Sequence, residues 1–272
     1  MESRNPVFAR TQEFGRGGYA TFNPPPAQYQ TPSSTQLDDM YAAPSATSID
    51  TDRMTLDDVV VRTGSLFAVL LVTAAATFFL WRPTSFLPVM AAGLVGLGLA
   101  MAASFGKSIK PPLYLAYAAV EGVFVGGISF FYGLRYGNDI EPAAVLGTLC
   151  AFGVMLALYR TGVVRNSPRF TKTLMIAGVG YLVFGLVNML LSMFTSWHNV
   201  YSGGGILPIL LSGFGVVLAS FYLVLDFDTI EQGLRNRAPK AYAWVAAFGL
   251  VVTLVWLYLE MLRLLAILRG ND

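Results

Sequence analysis

An all-α membrane protein, a bundle of seven transmembrane helices with a disordered N-terminal tail, is the fold class this sequence predicts. Three observations carry it. Of 272 residues, 55% are hydrophobic and only 12% charged, and the mean hydropathy is +0.58; a soluble domain needs a more charged surface than that. From about residue 59 onward, apolar runs follow one another, each near the roughly 20 residues that cross a bilayer. Residues 1–52 are instead rich in Gly, Pro, Ser, Thr, Gln and Asn with no apolar period, the composition of a segment that cannot bury a core. The expected division is a cytoplasmic tail over 1–52 and a transmembrane domain over 53–272.

In the tail, Arg4, Arg10 and Arg16 precede no apolar stretch, so they do not begin a secretory signal. Pro24, Pro25 and Pro26 read as linker rather than as a polyproline turn that docks a partner. At the entry to the membrane, Thr55 and Asp58 have the spacing of a capping box, with Asp in place of the usual Glu. The spans are expected at about 59–80, 84–104, 112–132, 140–160, 173–194, 206–227 and 243–268. Pro83, Pro111, Pro112, Pro142, Pro168 and Pro208 fall at or near their boundaries, where proline is tolerated. Gly122 and Gly126 make a GxxxG pair in the third span, and Gly93, Gly96 and Gly98 give the second a small face; both predict close helix packing. An odd number of spans does not divide into two equal halves, which disfavours an inverted-repeat transporter.

Charge sets the expected orientation. Lys107, Lys110, Arg160, Arg165, Arg169, Lys172, Arg235, Arg237 and Lys240 lie in the second, fourth and sixth connections, whereas the other three hold only Arg82 and Arg135. The positive-inside rule then puts the N-terminus in the cytoplasm and the C-terminus outside, in a multi-pass protein of the cell membrane. The net charge of +2 is too small to attract nucleic acid, so the bilayer is the expected partner. The single cysteine, Cys150, excludes a disulfide framework and a Cys-rich metal site. His198, the one histidine, has no Cys or Glu at ligand spacing and makes no zinc site. No Gly-rich phosphate loop, HExxH or nucleophile elbow is present. The chain is therefore not expected to be an enzyme, and no resident cofactor is expected.

The functional signal is a set of acids at membrane depth, where an ionised carboxylate is expensive and usually faces a bundle interior or a cavity. Asp226 and Asp228 close the expected sixth span, and Glu260 lies deep in the seventh. A helix C-terminus carries negative partial charge, so two acids there call for a compensating cation or proton. The structural alternative for Glu260 is an ion pair with Arg263, three residues on and on the same face. Glu121 is a further deep acid in span three. Arg62, early in span one, either snorkels to the surface or pairs with an acid on span six as a gate.

The run Leu257-Tyr258-Leu259-Glu260-Met261-Leu262-Arg263-Leu264-Leu265 resembles the closing LYLD-x-x-N-L-F-x-x-LL pattern of the transmembrane Bax-inhibitor-motif family. The run Phe221-Tyr222-Leu223-Val224-Leu225-Asp226 is similar to that family's penultimate segment. The resemblance implies a seven-helix fold with a cytoplasmic N-terminus. It further implies a pH-sensitive calcium leak or exchanger gated by a pair of carboxylates on the last two helices, with Ca²⁺ and protons as the transported or competing ions. Asp226 matches the acid on helix six and Glu260 the acid on helix seven, so these two are the expected metal-binding residues. Asp228 is a companion, or the match if the register shifts by two. The chain departs from the family in having Glu for Asp on helix seven and a longer separation between the two acids, so direct pairing requires an asymmetric loop or a broken helix. Two other readings stand beside this one: an interaction protein that modulates a membrane protease or a cell-death or stress pathway, and a small-molecule transporter.

Overall fold

The structure, a computed structural model, describes residues 33–35, 52–106, 108–137, 139–194, 200–202 and 205–270. The expected disorder of the tail, and the loop that holds His198, fall almost wholly outside the described residues.

Seven helices long and apolar enough to cross a membrane run through the described residues, and the chain is an all-α membrane protein. Helix α1, Leu56–Ala75, starts at the expected capping box: the Asp58 backbone N–H donates to Thr55 Oγ1 at 3.1 Å, and the Thr55 N–H donates to Asp58 Oδ2 at 3.2 Å. It continues as a π-helical turn, Ala76–Trp81, closed by Arg82 at φ +45° just before Pro83. Then follow α2 (Leu87–Phe105), α3 (Pro111–Tyr136), α4 (Ile140–Arg160), α5 (Pro168–Phe194), a 3₁₀ turn at Val200–Ser202, α6 (Ile206–Arg235) and α7 (Tyr242–Gly270). Proline stands in the first turn of α2 through α6, where its missing N–H costs no helical hydrogen bond.

The expected end of the sixth span at residue 227 is corrected. Helix α6 runs on to Arg235, because Thr229, Glu231 and Gln232 are compatible with a helix that has left the apolar layer. Asp226 and Asp228 are thus interior to the helix, and the negative partial charge of its end does not bear on them.

Helix α7 is the axle of the bundle. Of the membrane-crossing stretch, 61% is buried in α7 and 50% in α3, against 11–17% in α1, α2, α4 and α5. One core cluster joins Leu66 and Leu70 of α1 to Tyr114 and Tyr117 of α3 and Phe248 and Val251 of α7. A second joins Met155 of α4, Leu223 and Phe227 of α6 and Leu254 and Leu257 of α7. A third joins Ile140 and Ala144 to Leu262 and Ala266. Lipid tails are as apolar as leucine, so these contacts hold the bundle by close packing rather than by removal from water. The GxxxG pair supplies that closeness: a Cβ on Gly122 would strike the Thr73 hydroxyl and the Leu70 carbonyl, and one on Gly126 would lie 2.8 Å from Ala74 Cα. On α2, Gly93 and Gly96 meet Phe124 and Glu121 of α3, whereas Gly98 faces open space.

One end of the bundle is tied by backbone. The Met54 N–H donates to the Ala238 carbonyl at 2.8 Å and the Lys240 N–H to the Asp52 carbonyl at 2.9 Å, fixing the entry to α1 against the α6–α7 connection. At the opposite end Arg269 donates to both oxygens of Asp139 at 2.7 and 2.6 Å. These hydrogen bonds hold the Asp139 carboxyl below its ordinary value.

Candidate functional site

Antiparallel α6 and α7 pack along their lengths, and their register decides which acids meet. Near one level, a Cβ on Gly215 would lie 2.7 Å from Glu260 Oε2; near another, a Cβ on Gly249 would lie 3.4 Å from Asp226 Oδ1. Gly215 and Asp226 stand eleven residues apart, about 16 Å at helical rise. Asp226 and Glu260 therefore occupy separate levels of the same interface and do not pair. The expectation that they share one metal site is corrected. The cause is geometric: both helices run unbroken through this region, so the longer separation in sequence becomes a difference in depth. Among the described residues no cluster of three or more His, Cys, Asp or Glu side chains is placed to hold a metal ion.

The Glu260 level is fully partnered. Arg263 Nη1 donates to both Glu260 oxygens at 2.9 Å, Tyr181 of α5 donates its hydroxyl to Oε2 at 3.0 Å, and Trp256 Nε1 donates to Oε1 at 3.2 Å. The Arg263 guanidinium lies over the Tyr201 ring, 4.7 Å from its centroid. The side chain of Glu260 is only 3% exposed and that of Arg263 32%, so the cation reaches outward while the carboxylate stays enclosed. This is the local ion pair that i, i+3 spacing allows, reinforced by α5. Gly215 makes room for it, since a Cβ there would also lie 2.5 Å from the Tyr181 hydroxyl oxygen.

The Asp226 level is the reverse. Its carboxyl lies beside the Thr253 hydroxyl of α7, but Oδ2 is enclosed and has no hydrogen-bond partner among the described residues. No cationic side chain pairs with it there. An unpaired carboxylate in such a place costs several kcal/mol, so this oxygen calls for a proton or a cation.

The remaining acids separate from these two. Asp228 accepts from Asn166 Nδ2 at 2.7 Å and from Gln232, and so anchors the α4–α5 connection rather than accompanying Asp226. Arg62 reaches the Lys240 carbonyl, lies 3.7 Å from Asp58 on its own helix and sits over Trp244; as a gate partner for an acid on α6 it is corrected. Glu121 is buried in α3 against Gly96 of α2. Sequence reasoning missed Tyr181, whose one signal is a phenol in the middle of an apolar span. It also missed Glu141, which stands so close to the start of its helix that it reads as an interfacial acid.

A family model described as Bax inhibitor 1 like matches residues 5–270. An uncharacterized protein of Chlamydia muridarum (strain MoPn / Nigg) is 27% identical over 124 residues, a match that covers 46% of this chain and 49% of that protein. The chain thus spans about half the length of the curated relative it matches.

Proposed function

The chain belongs to the Bax inhibitor 1 like family, and from that premise we propose that it is a proton-sensitive cation leak or exchanger, with calcium as the favoured ion and Asp226 as its titrating group. The enclosed, unpartnered Oδ2 of Asp226 between α6 and α7 carries this reading. Protonated, the carboxyl is compatible with an apolar interface and with the close approach at Gly249. Ionised, it needs a hard cation, and Ca²⁺ takes oxygen ligands of the kind offered by a carboxylate, a hydroxyl such as that of Thr253, backbone carbonyls and water. Protons and calcium therefore compete for the same oxygen, and flux rises as the pH is raised. Glu260, neutralised by Arg263, acts as a fixed clasp between α5, α6 and α7 at another level of the path. This reading assigns the pH response to one carboxyl rather than to a coupled pair.

The test is calcium flux into liposomes that carry the purified protein and enclose a calcium-sensitive dye, measured across pH. Asp226→Asn removes the ionisable group at nearly constant size and is expected to flatten the pH dependence. Glu260→Gln is expected to keep the pH dependence while weakening the bundle. A folded Asp226→Asn protein whose flux follows pH like the parent would overturn the assignment.

A further inference from the structure

Helices α1 and α4 do not pack against each other along their length, and between them lies a cavity of about 1060 Å³ floored by α3 and α7. Along α1 it is lined from Thr63 to Arg82, nineteen residues or about 28 Å at helical rise, close to the roughly 30 Å of a bilayer's hydrocarbon core. Its walls are apolar through most of that length, with Phe67, Phe78, Phe130 and Phe152 among them. Among the described residues that line it, charge stands where α1 finishes and α4 begins: Arg82 and Glu141. Glu141 is 8% exposed, and neither of its carboxylate oxygens has a hydrogen-bond partner among the described residues beyond its own backbone N–H. The nearby Asp139 and Arg269 are engaged with each other. A buried acid that no other described residue partners is a cost that a native structure ordinarily offsets with a partner.

We propose that this groove is a binding site for an aminophospholipid of the surrounding bilayer, its ammonium on Glu141, its phosphate on Arg82 and an acyl chain between the phenylalanines. Charge complementarity selects the headgroup: a cation for the unsatisfied carboxylate and an anion for the arginine at the same end. The shape selects a chain, because the cavity is long in the direction in which acyl chains lie. A compact amphipathic amine would satisfy Glu141 but would leave Arg82 and most of the groove unused. The site is distinct from the Asp226 level and does not depend on the transport reading.

The experiment is native mass spectrometry of the full-length protein, purified in detergent and equilibrated with an equimolar mixture of phosphatidylethanolamine and phosphatidylglycerol. Wild-type protein is expected to retain phosphatidylethanolamine in preference. Glu141→Gln is expected to reduce that preference about tenfold, the weight of one hydrogen bond to a charged group. Arg82→Gln should weaken retention of both lipids. Ala75→Trp fills the groove from an exposed position on α1, leaves both charges in place, and should expel lipid of either kind; it serves if Glu141→Gln fails to fold. Equal retention of the two lipids by wild type, an unchanged ratio in Glu141→Gln, or undiminished lipid on Ala75→Trp would each overturn the proposal.

Discussion

At Glu260 the energetics are set by which partner is enclosed. The carboxylate is 3% exposed and the guanidinium 32%, so the two halves of the ion pair are unequal. Arg263→Ala strands a charge in the interior, and breaking a buried pair in this way costs about 3–5 kcal/mol. Glu260→Gln leaves an arginine that can turn toward the interface with its charge solvated, which costs less. The double variant should recover part of the Arg263→Ala loss, because no stranded charge remains. Thermal unfolding in detergent micelles measures the order; Arg263→Ala melting with the parent would mean that the clasp does not hold the bundle. The i, i+3 spacing made this pair legible in the sequence. The hydroxyl of Tyr181 was not, because it arrives from another helix.

Among the elements, the α1–α3 contact depends on bare backbone. At Gly126 an added Cβ would lie 2.8 Å from Ala74 Cα, whereas at Gly98 on α2 nothing lies within 4 Å. Backbone cannot turn aside as a side-chain end can, and forcing bulk into a packed interface costs about 1–3 kcal/mol or more. Gly126→Leu is therefore expected to lower the midpoint of thermal unfolding, and Gly98→Leu to leave it nearly unchanged. Equal effects at the two positions would show that the GxxxG pair is not a packing seam. The pair was readable from spacing alone, and the difference between Gly96 and Gly98 was not. Both belong to one small-residue run, and only the rotation of α2 about its axis tells them apart. The end of α6 was misplaced for a related reason: hydropathy marks where a helix leaves the apolar layer, not where its hydrogen bonding stops.

For the whole molecule, the distribution of Lys and Arg is the argument for orientation, and it is testable with the protein's single cysteine removed. In a Cys150→Ser background, Ser167→Cys in the α4–α5 connection is expected to react with an impermeant thiol reagent only after cells are permeabilised. Thr84→Cys in the α1–α2 connection should react on intact cells. The opposite pattern would invert the bundle and exchange the sides reached by Asp226 and Glu260.

Composition and the spacing of residues by themselves determined the membrane class, the seven spans, the capping box at Thr55 and the GxxxG packing face of α3. Each of these is a local property: a run length, a period, or a contact within one turn. The closing residues of α7 also carried the family. Only the tertiary structure decided that Asp226 faces Gly249 and Thr253 while Glu260 faces Gly215 and Tyr181. It also decided that Asp228 and Arg62 serve the connections, and that Glu141 opens into a groove. The reason is that the relative depth and rotation of two packed helices arise from side chains interlocking all along their length, and sequence distance between two acids does not encode them.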